Sequence, residues 1–129
     1  MYRWVDHTAE VELEIEADSE REVFADALVA LADLLGTAGE GNELRAIELN
    51  AADRPALLAA WVEELVFLAE TEGFEPLRLE ALELDDDSLR ATVRGRLGEP
   101  PHLVKAVTYH RLAFAPAASG YSARVVLDV

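Results

Sequence analysis

The stretch Glu10-Val11-Glu12-Leu13-Glu14-Ile15-Glu16 constrains the fold more than any other. Apolar and acidic residues alternate strictly, which is the pattern of a half-buried β-strand. Val11, Leu13 and Ile15 take one face and four glutamates the other. The apolar face needs another layer packed over it. The four like charges repel, so their face must be wet or matched by cations.

Two amphipathic helices supply the covering layer. Ser19 and Glu22 form an S-x-x-E capping box, and Val23, Ala27, Ala30, Leu31 and Leu34 then recur at helical spacing. That helix runs to about Leu35, with Gly36 as its stop. Asp53 is a good N-cap for a second helix, and Pro55 fits the first turn. Its stripe is Leu57, Leu58, Trp61, Val62, Leu65 and Leu68, and Gly73 ends it after about Glu72.

Strands account for the rest. Residues 2–5 are a short β-prone start, and 44–49, 77–84, 89–97, 105–115 and 121–129 read as strands. Asp85-Asp86-Asp87-Ser88 turns one hairpin. Leu89, Ala91, Val93 and Leu97 are expected inward, and Arg90, Thr92, Arg94 and Arg96 outward. The order β-α-β-α-β-β-β-β predicts an α+β two-layer sandwich, with two helices on a mostly antiparallel or mixed sheet. A chain of 129 residues without repeat or internal linker is expected to form one domain over 1–129.

Composition narrows the function. The absence of cysteine removes disulfides, cysteine-ligated zinc, iron–sulfur clusters and thiol catalysis. The formal charge of −15 argues against direct strong nucleic-acid binding, which needs Lys and Arg on phosphates. No apolar run is long enough for a membrane helix, and the first residues carry no signal-peptide core, so a cytoplasmic protein is expected. In residues 88–124 the balance reverses: Arg90, Arg94, Arg96, Lys105, Arg111 and Arg124 face only Glu99. That segment is either ordinary solvated strand surface or a docking surface for a charged partner.

No catalytic constellation stands out. The chain lacks G-x-S-x-G, a P-loop, a dinucleotide fingerprint and HExxH, and His7, His102 and His110 are far apart in sequence. These residues give little support to an enzyme. Asp85-Asp86-Asp87 is an acidic, solvated turn, since consecutive side chains in a tight turn point different ways. A second acidic group is more informative. Asp6 and Glu10 flank the entry to the alternating strand, and Asp128 lies beside the carboxylate of Val129. If the first and last strands are neighbours, Glu10, Asp128 and Val129 converge as oxygen donors suited to a hard cation such as Ca²⁺ or Mg²⁺.

Three segments carry a family resemblance. Asp6-His7-Thr8-Ala9-Glu10 resembles the D-H-T-A-D signature of the archease family. Lys105-Ala106-Val107-Thr108-Tyr109-His110 is similar to its K-A-V/I-T-Y-H signature, and Leu127-Asp128-Val129 to its terminal D-I/V. Gly98-Glu99 sits where the family carries Gly-Glu. The resemblance implies an accessory protein of an RtcB-type RNA-splicing ligase, which joins phosphate-ended and 5′-hydroxyl RNA in tRNA splicing and RNA repair. Such a protein promotes ligase guanylylation and multiple turnover. A chaperone-like role beside a tRNA cytosine methyltransferase is the alternative that the resemblance implies. It also implies a divalent-cation site at Glu10, Asp128 and the carboxylate of Val129, with Ca²⁺ preferred over Mg²⁺ or Mn²⁺. Glu10 is one methylene longer than the family's Asp, a change that calcium tolerates better than magnesium. Lys105, the only lysine of the chain, is expected to contact the partner as a compact point charge. Asp6, His7 and His110 are expected beside it in partner contact.

Overall fold

The computed structural model describes residues 1–37, 39–102 and 104–129. Its elements are β1 (Tyr2–Asp6), β2 (Glu10–Ala17), α1 (Glu20–Leu35), β3 (Glu43–Asn50), α2 (Arg54–Glu72), β4 (Phe74–Leu84), β5 (Ser88–Leu97), β6 (Ala106–Ala117) and β7 (Gly120–Asp128). Both helices start and stop on their capping residues. The Ser19 hydroxyl accepts from the Glu22 N–H at 3.2 Å. The Glu22 carboxylate reaches back one residue further than a standard box, accepting from the Asp18 N–H at 3.4 Å. Gly36 closes α1 at φ 79° and Gly73 closes α2 at φ 65°, left-handed conformations that favour glycine.

At the start of α2, Asp53 Oδ1 accepts from the Ala56 N–H at 2.8 Å. Asp53→Ala is expected to cost about 1 kcal/mol. Asp53→Ser should restore most of it, as read from urea-denaturation midpoints. Equal midpoints for all three proteins would show that this cap contributes nothing.

The strands divide between two sheets. One has the order β1-β2-β7-β6 and the other β3-β5-β4, and every pairing is antiparallel. The two ends of the chain therefore build one sheet, and its middle builds the other. Both helices pack against strands of both sheets, so one core serves the whole chain. Trp61 of α2 is fully buried, meets Phe24 of α1 edge-on at 6.3 Å, and donates its indole N–H to the Phe24 carbonyl at 3.0 Å.

Two faces differ from the alternation pattern. Leu89, Ala91 and Val93 are buried, but Leu97, the last residue of β5, is 55% exposed although its cross-strand partner Phe74 is fully buried. Glu12, on the acidic face of β2, is only 2% exposed. Among the described residues, no helix is long and apolar enough to cross a membrane.

Candidate cation and partner site

The β1–β2 hairpin turns on the segment Asp6-His7-Thr8-Ala9-Glu10, and β7 lies between β2 and β6. This order brings the three signature segments together. Glu10 stands directly opposite Asp128, and Asp128 directly opposite Ala106. Backbone hydrogen bonds tie the segments: the His7 N–H to the Glu10 carbonyl at 2.9 Å, and the Lys105 N–H to the Asp128 carbonyl at 2.9 Å. The Val129 N–H donates to the Ala9 carbonyl at 3.5 Å. Ala9 holds φ 78°, a left-handed turn conformation that costs a non-glycine residue about 1 kcal/mol.

Residues directly opposite on antiparallel strands share a face, with Cβ atoms about 5 Å apart. Glu10 and Asp128 are thus like charges on one rung. Neither is in an ion pair among the described residues. Their neighbour Glu14 is matched instead: the Arg3 Nε donates to it at 2.6 Å. That hydrogen bond holds the Glu14 carboxyl below the usual carboxylate range.

The sheet separates the sequence-predicted residues onto two faces. Glu10 and Asp128 share the outer face with Glu12, Glu14 and the ring of His7, whose Nε2 is 3.8 Å from Glu12 Oε1. Asp6 pairs with Val11 and so takes the opposite, helix-side face, beside Trp4 and Val129. Lys105, one residue before Ala106, also falls on the helix side, lining the same groove as Glu63 and Glu64 of α2. His110 lies exposed in the irregular stretch of β6 between Thr108 and Ala113. The backbone therefore assembles the segments, but Lys105 and the Glu10–Asp128 rung look in opposite directions.

Sequence reasoning missed Glu12, Thr108 and Arg111. The Glu12 Oε1 and Thr108 Oγ1 atoms are buried, with no hydrogen-bond partner among the described residues. Arg111, at φ 60° in the β6 irregularity, brings its Nη1 to 3.4 Å from Glu12 Oε1. A signal was present: Val125, Val126 and Leu127 are three consecutive apolar residues, which a strand with one wet face would not carry. Val126 stands opposite Glu12 and is buried with it on the outer face.

The arginines of segment 88–124 mostly meet carboxylates from elsewhere in the chain. Arg90 pairs with Glu48 at 3.6 Å, Arg96 with Glu75 at 2.7 Å, and Arg94 with Glu80. The segment's positive charge is thereby largely spent on the protein's own acids.

The donor chemistry of the Glu10–Asp128 rung fits a hard cation. It offers oxygen atoms only, and a divalent ion would relieve the repulsion across the rung. Among the described residues, no three His, Asp or Glu side chains converge closely enough to hold a metal. The carboxylate of Val129 would have to complete the set.

Comparisons with known proteins cover the chain end to end. The model of the Archease protein family matches residues 2–129. The chain is 32% identical over 135 residues to protein archease of Archaeoglobus fulgidus, covering 99% of this chain and 98% of that one. It is 29% identical over 140 residues to protein archease of Methanosarcina barkeri, covering 99% and 95%. The solution structure of Methanobacterium thermoautotrophicum protein 1598 superposes with a TM-score of 0.76 at 28% identity, over 99% of this chain and 98% of that one. The crystal structure of an archease, described as a possible chaperone, from Thermotoga maritima gives a TM-score of 0.71 at 23% identity, over 100% and 98%.

Proposed function

The chain belongs to the Archease protein family, and on that premise we propose that it is an accessory protein of an RtcB-type RNA ligase. In this reading it promotes guanylylation and repeated turnover of the ligase during tRNA splicing or RNA repair, without catalysing a reaction itself. The observation that carries the reading is the unneutralised Glu10–Asp128 rung, held beside two further signature segments. Glu10, Asp128 and the carboxylate of Val129 would hold the cation, Ca²⁺ first, with Mg²⁺ or Mn²⁺ as the alternatives. When bound, such an ion supplies positive charge and open coordination positions for phosphate or carboxylate oxygens.

The chain's own residues do the rest. His7 and Arg111 cover Glu12 and keep the outer face next to the rung ordered. Lys105, Asp6, His7 and His110 contact the partner, from the two faces of the same end of the sheet. An anionic body suits a ligase whose RNA channel is basic, since complementary charge speeds encounter and sets orientation.

The test mixes the purified protein with an RtcB-type ligase, GTP and a divalent metal. Ligase guanylylation should speed up, and substoichiometric ligase should complete more than one round of joining. Unchanged guanylylation and turnover across Ca²⁺, Mg²⁺ and Mn²⁺ would sink the reading.

A further inference from the structure

Each sheet has an open edge beside α2: β6 ends the four-stranded sheet, and β3 ends the three-stranded one. Between them runs a groove of about 680 Å³, with α2 along one wall and residues 105–109 along the other. It lies on the helix side of the sheet, away from the Glu10–Asp128 rung.

Three properties set this groove apart. It exposes aromatic surface, with Phe67 53% and Tyr109 58% exposed. It is net acidic: Glu63, Glu64 and Glu70 line it against one cation, Lys105, and none of the three is in an ion pair among the described residues. Glu63 only accepts the Tyr109 hydroxyl at 2.9 Å, and burial together with the charge of Glu72 pushes the Glu64 carboxyl up. The backbone of Ala106–Thr108 pairs with β7 on one side, without a bulge or proline, and among the described residues has no strand on the other. Natural proteins usually protect such an edge.

We infer that the groove docks an extended segment of a partner protein, one in which basic and apolar side chains alternate on one face. Its backbone would add to the free edge of β6, the mode by which many peptides bind a sheet. Glu63, Phe67 and Glu70 recur along one stripe of α2 as acid, aromatic, acid. Their steps of four and three residues rise about 6 and 4.5 Å. Same-face residues of a strand are about 6.8 Å apart, so a segment reading basic, apolar, basic at i, i+2 and i+4 spans about 13.6 Å against about 10.5 Å on the helix, a difference that long, flexible arginine side chains can take up. The charge of the groove selects against nucleic acid and against a second copy of this chain, which would bring the same glutamates.

The inference does not depend on the ligase reading, and its test contains no ligase. The ¹⁵N-labelled full chain is titrated with the peptide acetyl-Arg-Thr-Leu-Thr-Arg-Thr-Leu-amide, and amide shifts are followed by NMR. Shifts should concentrate at residues 106–109 and 63–70. A Glu63→Gln/Glu70→Gln double variant should bind about tenfold or more weakly, and the peptide with Glu in place of Arg should give no shifts. Absent shifts at millimolar peptide, or shifts spread evenly over every acidic face, would overturn the inference. So would concentration-dependent dimerisation through these same amides in the free protein.

Discussion

Asp128→Ala is expected to abolish cation binding and stimulation of an RtcB-type ligase while leaving the fold intact. Asp128 ends β7, is only partly buried, and makes its strand contacts through the backbone. Removing it deletes half of the Glu10–Asp128 rung. Loss of groups that only support a metal ligand commonly costs 10–100-fold in affinity, so loss of a direct ligand should cost at least about tenfold. The rung gives the effect a sign that can be checked without any partner. In metal-free buffer the substitution removes a like-charge repulsion, so stability should hold or rise slightly. With Ca²⁺ added, the natural chain should gain thermal stability that rises with the logarithm of Ca²⁺ concentration above the Kd, and the variant should not. Thermal melts with and without Ca²⁺ decide this, and ligase turnover is measured in parallel. An equal Ca²⁺-dependent shift in both proteins would place the cation elsewhere. Full stimulation by the variant would mean that partner binding alone matters, as the methyltransferase alternative expects.

Trp61→Ala should have the largest effect on stability. The side chain is fully buried and bridges α2 to α1 through both ring packing and the bond to the Phe24 carbonyl. Truncating a buried aromatic to alanine costs about 3–5 kcal/mol. Against a total stability of about 5–15 kcal/mol, that removes a large share of the margin. Trp61→Phe keeps most of the apolar volume but loses the indole N–H, a bond worth about 1 kcal/mol. Its midpoint in urea should fall between those of the natural chain and the alanine variant. A loss below about 1 kcal/mol for Trp61→Ala would mean that the two helices do not depend on this contact.

Local features of the fold were readable because their causes are local. Ser19, Gly36, Asp53 and Gly73 mark helix ends through side-chain and backbone chemistry within a few residues. The α+β class followed from two helical stripes among alternating strands. The division into two sheets did not, because it depends on which distant strands pair, and alternation is the same in either sheet. Leu97 was expected inward because a repeat of two does not say where the covering layer stops.

The site was legible to a different degree. Spacing alone left the meeting of Glu10 and Asp128 conditional on their strands being neighbours, and the register supplies that. It could not tell that Lys105 leaves the strand on the other face, one residue out of phase with Asp128's partner Ala106. Arg111 and Glu12 meet through an irregular stretch of β6, which has no signature of its own. Gly98, part of the resemblance, has an architectural role: a Cβ there would sit 2.8 Å from an oxygen of Glu75. Glu75 is buried, and Arg96 neutralises it at 2.7 Å.

The pairing order also bears on synthesis. The three-stranded sheet comes from the middle of the chain and can assemble as it emerges, since β4 and β5 are adjacent. The β1–β2 hairpin is made before the other elements, yet β2 must wait for β7, about a hundred residues later, to cover its second edge. During that interval an apolar-faced strand edge is open to other nascent chains, the situation that invites aggregation. The glutamates at alternate positions of β2 are charged gatekeepers for that wait. The acidity that shapes the finished surface thus also protects the hairpin before there is a surface to shape.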